Sequence, residues 1–230
     1  MYKFIKRLFD IIVSATAILI LAPIFLIIVI GIKLSSKGPV MFVSERVGLN
    51  GKLFTMYKFR SMHVKEEGAV EKGCLVNNDR IFAFGSFLRK SKLDELPQLV
   101  NVFLGHMSFV GPRPYPQKVV NRLYTGEASS VLTVRPGLAC LDSLYDYAHG
   151  DLFVTDSDFY KQNIMPVRTQ LAKMYVKKQS CALDIYCIFR TVQLIVQIVL
   201  LKKKNFPLTK HEKEAQQQVA YICKKEEVEA

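Results

Sequence analysis

The feature that most constrains this chain is a long apolar run near its start. No charged residue occurs from Ile11 to Ile32, a stretch of 22 residues. A helix of that length is about 33 Å long, enough to cross the hydrocarbon core of a bilayer. The run is too long for the apolar part of a secretory signal peptide, and no small-residue cleavage pattern follows it. The sequence therefore predicts a membrane-embedded helix.

Two features leave the path of this helix through the membrane open. Pro23 lies in the middle of the run, where proline removes a backbone hydrogen bond and clashes with the preceding turn. Basic residues flank the run on both sides, so the positive-inside rule favours neither orientation. These residues are Lys3, Lys6, Arg7, Lys33 and Lys37. A re-entrant helix that bends at Ala22-Pro23 and returns to the same face fits both features, and a single kinked span is the alternative.

The remainder of the chain predicts an α+β fold. Residues 40–43 form a short apolar strand, and residues 53–60 alternate as a second strand. Asn50-Gly51 lies between them and is typical of a hairpin turn, because both residues tolerate positive φ. Residues 81–90 and residues 158–179 have helical patterns, the second interrupted near Pro166. We therefore expect a small β-hairpin among several helices.

A further apolar stripe at helical spacing runs through residues 185–199. An amphipathic helix in the membrane interface and a helix packed on the folded domain both fit this pattern. The predicted organisation is a membrane helix with basic flanks over residues 1–37, a folded domain over residues 38–204, and a polar, flexible tail over residues 205–230. With a re-entrant first helix and an interfacial later helix the chain would be a monotopic membrane protein, and the alternatives for both helices stay open at this point.

The net charge of +12 narrows the classes of partner. Basic chains bind nucleic acid, anionic lipid or phosphorylated substrates. No zinc-finger, RNA-binding or helix-turn-helix signature is present, so we expect no nucleic acid partner. The five cysteines have no CxxC spacing and the four histidines are scattered, which predicts neither a disulfide framework nor a zinc site. An anionic membrane and a phosphate substrate remain.

The segment richest in chemical signals includes Asp94 and Glu95. Pro97 is tolerated in the first turn of a helix but not in its interior, so a helix is predicted to begin near Asp94. Asp94 would then be its N-cap and keep free acceptor capacity at the positive end of the helix dipole, a suitable place to meet a phosphate or a metal. Ordinary capping of a surface helix is the alternative.

Two loops each hold an arginine next to proline. Arg113 lies between Pro112 and Pro114, and Arg135 precedes Pro136. Proline fixes φ and so reduces the entropy lost when the arginine is held still. The planar guanidinium matches phosphate oxygens bidentately. Each loop alone is an ordinary turn signal, but two such arginines with an acidic pair and a membrane segment favour phosphate chemistry.

These residues resemble the bacterial sugar transferases, the monotopic polyprenyl-phosphate phosphoglycosyl transferases. The matching segments are KRLFDIIVSATAILILAPIFLI, GPVMFVSERVGLNGKLFTMYKFRSM, LDELPQLVNVFLGHMSFVGPRP and VRPG, with a looser match in YVKKQSCALDIYCIFRT. The resemblance implies transfer of a sugar 1-phosphate from a UDP-sugar to undecaprenyl phosphate, with release of UMP. It would be the first membrane step in assembly of a capsule, an O-antigen, an exopolysaccharide or a glycoprotein glycan.

The resemblance also implies roles for individual residues. Asp94 would be the covalent nucleophile, and Asp94 with Glu95 would hold Mg²⁺. The substrate phosphates would be bound by Lys58, Arg89, Arg113 and Arg135. The membrane helix would be re-entrant, with its bend at Ala22-Pro23. The catalytic domain would lie on the cytoplasmic face of the bacterial inner membrane, with a homo-oligomer or downstream glycosyltransferases left open as partners.

The match fails in one segment. After Gly137 members of the family usually continue with a Thr-Gly-Trp-like loop, whereas this chain has LACLDSL over residues 138–144. Ala22 also stands where members often have serine before the membrane proline. The altered segment puts nucleotide or acceptor recognition in doubt. The alternative function is therefore a membrane scaffold of a glycan-assembly complex that has lost catalysis.

Overall fold

The computed structural model describes residues 1–64, 80–150 and 156–229. It has an α+β fold, as the sequence predicts, with many helices and two small sheets. The helices are α1 (Tyr2–Ser35), α2 (Ala83–Lys90), α3 (Gln98–Leu104), α4 (Gln117–Leu123), α5 (Leu141–His149), α6 (Ser157–Phe159), α7 (Met165–Lys178), α8 (Cys181–Val199) and α9 (Lys210–Glu229). The strands are β1 (Met41–Val47), β2 (Leu53–Phe59), β3 (Ser108–Val110) and β4 (Gly137–Ala139).

Strands β1 and β2 form the predicted hairpin. They pair antiparallel, with Phe42 opposite Lys58, and a short 3₁₀ turn over Leu49–Gly51 joins them. Asn50 has φ +55° and Gly51 has φ +76°, the left-handed backbone that this dipeptide predicts. The first strand is longer than the predicted residues 40–43, because residues 44–47 also pair, with residues 53–56 of β2.

Strands β3 and β4 form a parallel pair that the sequence analysis did not predict. Ser108 lies opposite Gly137 and Val110 lies opposite Ala139. Just beyond this pair, a Cβ added to Gly137 would lie 2.2 Å from the backbone nitrogen of Gly111. No side chain fits there, so the two proline-arginine loops lie backbone against backbone.

The largest hydrophobic core is formed mainly by α5, α7 and α8. Leu171, Tyr175 and Leu194 are fully buried in it, together with Cys140 and Cys187. Both cysteines are free thiols, as are the exposed Cys181 and Cys223; Cys74 lies outside the described residues. Val110 of β3 and Ala139 of β4 belong to the same core.

Helix α1 contacts the folded domain at both of its ends. Near its start, Asp10 accepts hydrogen bonds from Ser108 Oγ at 3.1 Å and Phe109 N at 3.0 Å. Near its end, Ile28 and Ile32 are buried in a cluster whose other buried members are Phe59, Phe82 and Leu88. Large apolar side chains between these contacts are exposed, among them Leu19, Ile20, Ile24, Leu26 and Ile27. By length and composition, α1 is one of two described helices able to cross a membrane.

Helix α8 is the other of these helices, and its apolar residues divide between two faces. Leu183, Cys187 and Leu194 are buried against the core, whereas Ile185 and Phe189 are exposed. The packing interpretation is confirmed for the buried face, and the interfacial interpretation stays a prediction for the exposed face. One face packs on the domain, and the other leaves an apolar surface available to lipid.

The C-terminal segment differs from the predicted flexible tail. Residues Lys210–Glu229 form α9, which packs on α7 and α5. Ala215 is fully buried, and Phe206 is buried just before the helix. The Glu212 carboxylate accepts a hydrogen bond from Thr209 N at 2.6 Å, which caps the helix start. The prediction failed because the segment is mostly charged, and the few apolar residues that pack it on the domain gave no clear sequence pattern.

Candidate active site

Asp94 and Glu95 lie in a 3₁₀ turn, Leu93–Glu95, between α2 and α3. Lys92 turns the chain with a left-handed backbone, φ +58°. The predicted N-cap at Asp94 is wrong by three residues, because α3 begins at Gln98 with Pro97 at its N-cap. The Asp94 side chain therefore caps no helix. Both carboxylates are nevertheless buried, with 7% of Asp94 and 9% of Glu95 exposed.

Glu95 is held by two cations. Its Oε1 atom lies 2.7 Å from Lys58 Nζ and 3.3 Å from an Arg113 terminal nitrogen. Burial raises the pKa of Glu95, but the positive charges of Lys58, Lys92 and Arg113 outweigh burial and hold that pKa well below its usual range. Glu95 is therefore an ionised, fixed carboxylate.

Asp94 has a different environment, although it is the adjacent residue. In the part of the chain that the structure describes, no group donates a hydrogen bond to its carboxylate and no cation pairs with it. Burial raises the pKa of Asp94, and the charge of Glu95 raises it further, against the opposing charges of Lys58, Lys92 and Arg89. A buried carboxylate that is close to cations but bonded to none is suited to receive a ligand.

The surrounding cations come from three elements. Lys58 lies on β2, Arg89 lies in the last turn of α2, and Arg113 lies in the loop after β3. The structure thus brings three of the four predicted phosphate-binding residues to the acidic pair. Lys92 is a fourth cation that the sequence analysis missed, and its Nζ lies 4.6 Å from the centre of the Tyr147 ring. Lys92 could have been predicted as a site residue because it lies two residues before Asp94 in the sequence.

Arg135 is the predicted site residue that lies elsewhere. Its Nε donates to the carbonyl oxygen of Gly105 at 2.9 Å, at the C-terminal end of α3. Asp94 and Glu95 precede the other end of that helix. Seven helical residues span roughly 10 Å, so α3 separates Arg135 from the acidic pair. The assignment of Arg135 to a phosphate remains a prediction.

A buried ionic cluster supports the Arg113 loop from behind. Asp142 Oδ2 accepts a hydrogen bond from the Arg113 backbone nitrogen at 3.2 Å. Arg168, only 3% exposed at its side chain, lies 3.1 Å from Asp146 and 3.9 Å from Asp142. Tyr160 OH donates to Asp146 at 2.6 Å. The sequence analysis did not predict the four residues behind the loop, because their approach depends on how α5 packs against α7; they are Asp142, Asp146, Tyr160 and Arg168.

The acidic pair has the donor chemistry that Mg²⁺ prefers. Magnesium is commonly bound by one or two carboxylates together with waters and substrate phosphates. The Asp94 carboxylate is free of protein partners among the described residues, and Glu95 lies beside it. The described residues contain no cluster of three or more candidate metal ligands, so a magnesium ion here would depend on substrate oxygens.

Comparison with known proteins places the chain in a family. The family model described as bacterial sugar transferase matches residues 1–198. A UDP-glucose:undecaprenyl-phosphate glucose-1-phosphate transferase of Klebsiella pneumoniae is 36% identical over 190 residues, covering 81% of this chain and 39% of that protein. A UDP-N-acetylgalactosamine-undecaprenyl-phosphate N-acetylgalactosaminephosphotransferase of Aeromonas hydrophila is 34% identical over 198 residues, 85% of this chain and 44% of that protein.

A shorter relative matches over most of its length. Exopolysaccharide production protein ExoY of Rhizobium meliloti is 32% identical over 207 residues, which cover 83% of this chain and 84% of that protein. The first relatives are longer, and the chain spans only 39% of the Klebsiella protein. The family match covers α1, the acidic pair, both proline-arginine loops and α8, and it ends before α9. The chain therefore belongs to the bacterial sugar transferase family.

Proposed function

We propose that this protein transfers a sugar 1-phosphate from a UDP-sugar to undecaprenyl phosphate and releases UMP. The observation that carries the proposal is the difference between two adjacent buried carboxylates. Lys58 and Arg113 hold Glu95, whereas no described residue bonds Asp94. The names of the relatives support the substrate classes, because two of them transfer a phosphosugar to undecaprenyl phosphate.

In the proposed reaction Asp94 is the covalent nucleophile. One of its carboxylate oxygens attacks the phosphorus atom that bears the sugar, and the bond from that phosphorus to the bridging oxygen breaks. UMP leaves with the bridging oxygen. A phosphate oxygen of undecaprenyl phosphate then attacks the same phosphorus, the bond to Asp94 breaks, and the carboxylate is regenerated. Two successive displacements let the donor and the lipid acceptor react in turn.

The neighbouring cations have positioning and charge-balancing roles in this scheme. Lys58 and Arg113 keep Glu95 ionised and still, and Arg89 and Lys92 contribute positive charge close to Asp94. Cations fixed in a buried site stabilise the charge that develops on transferring phosphoryl oxygens. Mg²⁺, held by Asp94 and Glu95, would supply further neutralisation of the diphosphate. Asp142 maintains the Arg113 loop through its backbone hydrogen bond.

The position of α1 supports a re-entrant membrane helix. Its first turns contact β3 through Asp10, and its last turns pack against β2 and α2 through Ile28 and Ile32. Both ends thus lie on one folded domain, as expected if the helix bends at Ala22-Pro23 and returns to the cytoplasmic face of the inner membrane. The exposed apolar middle would then be in lipid, close to a lipid-linked acceptor.

The decisive experiment measures UMP release and the covalent intermediate separately. Purified protein is incubated with Mg²⁺, undecaprenyl phosphate and each of a panel of UDP-sugars, and release of UMP from at least one donor is expected. Donor alone should then yield protein that carries a sugar phosphate on Asp94, detected by mass spectrometry. Asp94→Asn should abolish both signals while the protein still enters the membrane fraction.

The alternative function makes a different prediction in the same assay. A scaffold that has lost catalysis would release no UMP from any UDP-sugar. The altered segment over residues 138–144 suggested this alternative, but Asp142 in that segment contacts the Arg113 loop of the candidate site. If Asp94→Asn still releases UMP, the protein is a transferase but the covalent mechanism through Asp94 is wrong.

A further inference from the structure

A second basic site lies beside the N-terminal end of α1. A cavity of about 120 Å³ lies between the first three turns of α1, strand β3 and the Arg135 loop. The charged residues that line it are Lys3, Lys6, Arg7, Asp10 and Arg135. Pockets for drug-sized ligands are about 300–1,000 Å³, so this cavity suits a small anionic group rather than a whole sugar nucleotide.

The cavity has an excess of positive charge. The Asp184 carboxylate offsets Lys6, with 2.6 Å between Oδ2 and Nζ. Asp10 supplies a second negative charge, and its Oδ1 atom already accepts hydrogen bonds from Ser108 and Phe109. Four cations thus face two carboxylates. The charges of Arg7 and Arg135 repel each other, and an anion between them would relieve that repulsion.

The arginines at this cavity keep unused hydrogen-bond donors. Arg7 donates to the carbonyl oxygens of Val102 at 2.6 Å and Phe103 at 2.7 Å through its two terminal nitrogens. Arg135 uses Nε for the carbonyl oxygen of Gly105, and no other described group accepts from it. Because a guanidinium has five N–H groups, donors remain on both side chains. These contacts hold the two guanidinium groups in place and leave N–H groups on both that can donate to an anion.

The cavity is separate from the acidic pair. Arg7 and Arg135 both bind carbonyl groups at the C-terminal end of α3, whereas Asp94 precedes its N-terminal end. The helix between them is roughly 10 Å long, and reacting atoms must approach to about 3–3.5 Å. A phosphate in this cavity would therefore not be the one that Asp94 attacks.

The position along the chain indicates the source of the anion. The uncharged run of α1 starts at Ile11, one residue after Asp10, so the cavity lies where this helix meets the membrane surface. Phospholipid phosphates are concentrated at that level. We infer that the cavity binds the phosphate of an anionic phospholipid headgroup. This inference requires α1 to be in a membrane but does not require the transfer reaction.

The test is lipid binding by the full chain in detergent, followed by native mass spectrometry. Wild-type protein is expected to retain one phosphatidylglycerol in preference to phosphatidylcholine. Lys3→Gln/Arg135→Gln should bind it roughly 30-fold more weakly, since each cation near an anionic lipid contributes about 1 kcal/mol. Lys33→Gln/Lys37→Gln removes two charges from the other flank of the apolar run and should bind as wild type does.

Further arms separate the sources of phosphate and guard against misfolding. Arg135→Lys keeps the charge and should retain most of the affinity. A loss of affinity as large as that of Lys3→Gln/Arg135→Gln would mean that Arg135 has a structural role and would overturn the inference. Equal loss in the Lys33/Lys37 control would do the same. Displacement of phosphatidylglycerol by millimolar inorganic phosphate, or by stoichiometric undecaprenyl phosphate, would assign the cavity to another ligand. Asp94→Asn should leave lipid binding unchanged even if the proposed reaction fails.

Discussion

Lys58 Nζ lies 2.7 Å from Glu95 Oε1 and joins the β-hairpin to the 3₁₀ turn beside Asp94. Both side chains are largely buried, with 16% and 11% exposed. Such a pair fixes geometry more than it stabilises the fold, because desolvation offsets much of the attraction. The pair positions β2 against the 3₁₀ turn, because it is the one ion pair between these two elements among the described residues.

Lys58→Met should destabilise the fold and reduce activity together. Removing Lys58 leaves Arg113 as the one described cation paired with the buried Glu95 carboxylate, a change that costs about 3 kcal/mol in comparable pairs. Thermal unfolding in detergent and UMP release report the two effects. Lys58→Arg keeps the charge and should preserve most of the stability. Equal stability of Lys58→Met and wild type would mean that the pair is not formed.

The proposed reaction should have an acid limb set by Asp94. A protonated carboxyl group does not attack phosphorus, so the rate should fall as pH drops through the raised pKa of Asp94. Glu95 contributes to that raised pKa, so Glu95→Gln should move the limb to lower pH even though its maximal rate is reduced. The measurement is a pH–rate profile of UMP release at donor concentrations far below KM, because kcat/KM reports the pKa of the free enzyme. A limb that moves to higher pH in Glu95→Gln would contradict the assignment.

Asp94→Asn should make the protein more stable at neutral pH. The pKa of Asp94 is raised in the folded state, so folding disfavours its ionised form above the unfolded pKa. Asparagine does not ionise and so avoids this cost, and the free energy of unfolding of the variant should therefore exceed that of wild type. The gain should vanish in acid, where the carboxyl is protonated in both states. Thermal unfolding against pH measures it, with the exposed Asp158→Asn as the control that shows no gain.

Arg168→Met should be among the most destabilising single changes in the folded domain. It removes the buried cation that pairs with the carboxylates of Asp142 and Asp146, at a cost of about 3–5 kcal/mol. Adding Asp146→Asn to Arg168→Met should recover part of the loss, and a double-mutant cycle measures the coupling. Additive effects of the two changes would mean that the residues do not interact.

Residues on both sides of the apolar run should face the same compartment. We expect cysteines at the exposed positions Lys3 and Lys37 to react with an impermeant maleimide only after the inner membrane is permeabilised. The background should lack the exposed Cys181 and Cys223, together with Cys74. Labelling of one site alone in intact spheroplasts would mean that α1 crosses the membrane completely.

The sequence predicts local structure well where one residue type dictates it. The tight turn of a hairpin requires positive φ, which Asn50 and Gly51 tolerate, and the hairpin turn forms there. Pro97 limits where α3 begins, but the rule that proline belongs in a first turn could not distinguish a helix start at Asp94 from one at Gln98. The intervening 3₁₀ turn depends on Lys92, whose left-handed backbone no local rule predicts for a lysine.

The candidate site was predictable where its residues are close in sequence and not where packing brings them together. Asp94, Glu95 and Arg113 lie within one recognisable segment. Arg135 has the same proline context as Arg113, yet its side chain extends to the opposite end of α3. Proline context predicts a rigid arginine, but the direction of that arginine is decided by tertiary structure. The Arg168 cluster depends on helix packing and has no sequence signal.

The close approach of Gly111 and Gly137 has a mechanical consequence. Three backbone hydrogen bonds hold the strands and loops together at this point, from Ser108 to Pro136, from Gly111 to Ala139 and from Gly137 to Pro112. The loops that carry Arg113 and Arg135 are therefore joined through their backbones. We expect a displacement of one loop backbone to be transmitted to the other, which would link the acidic pair to the cavity beside α1.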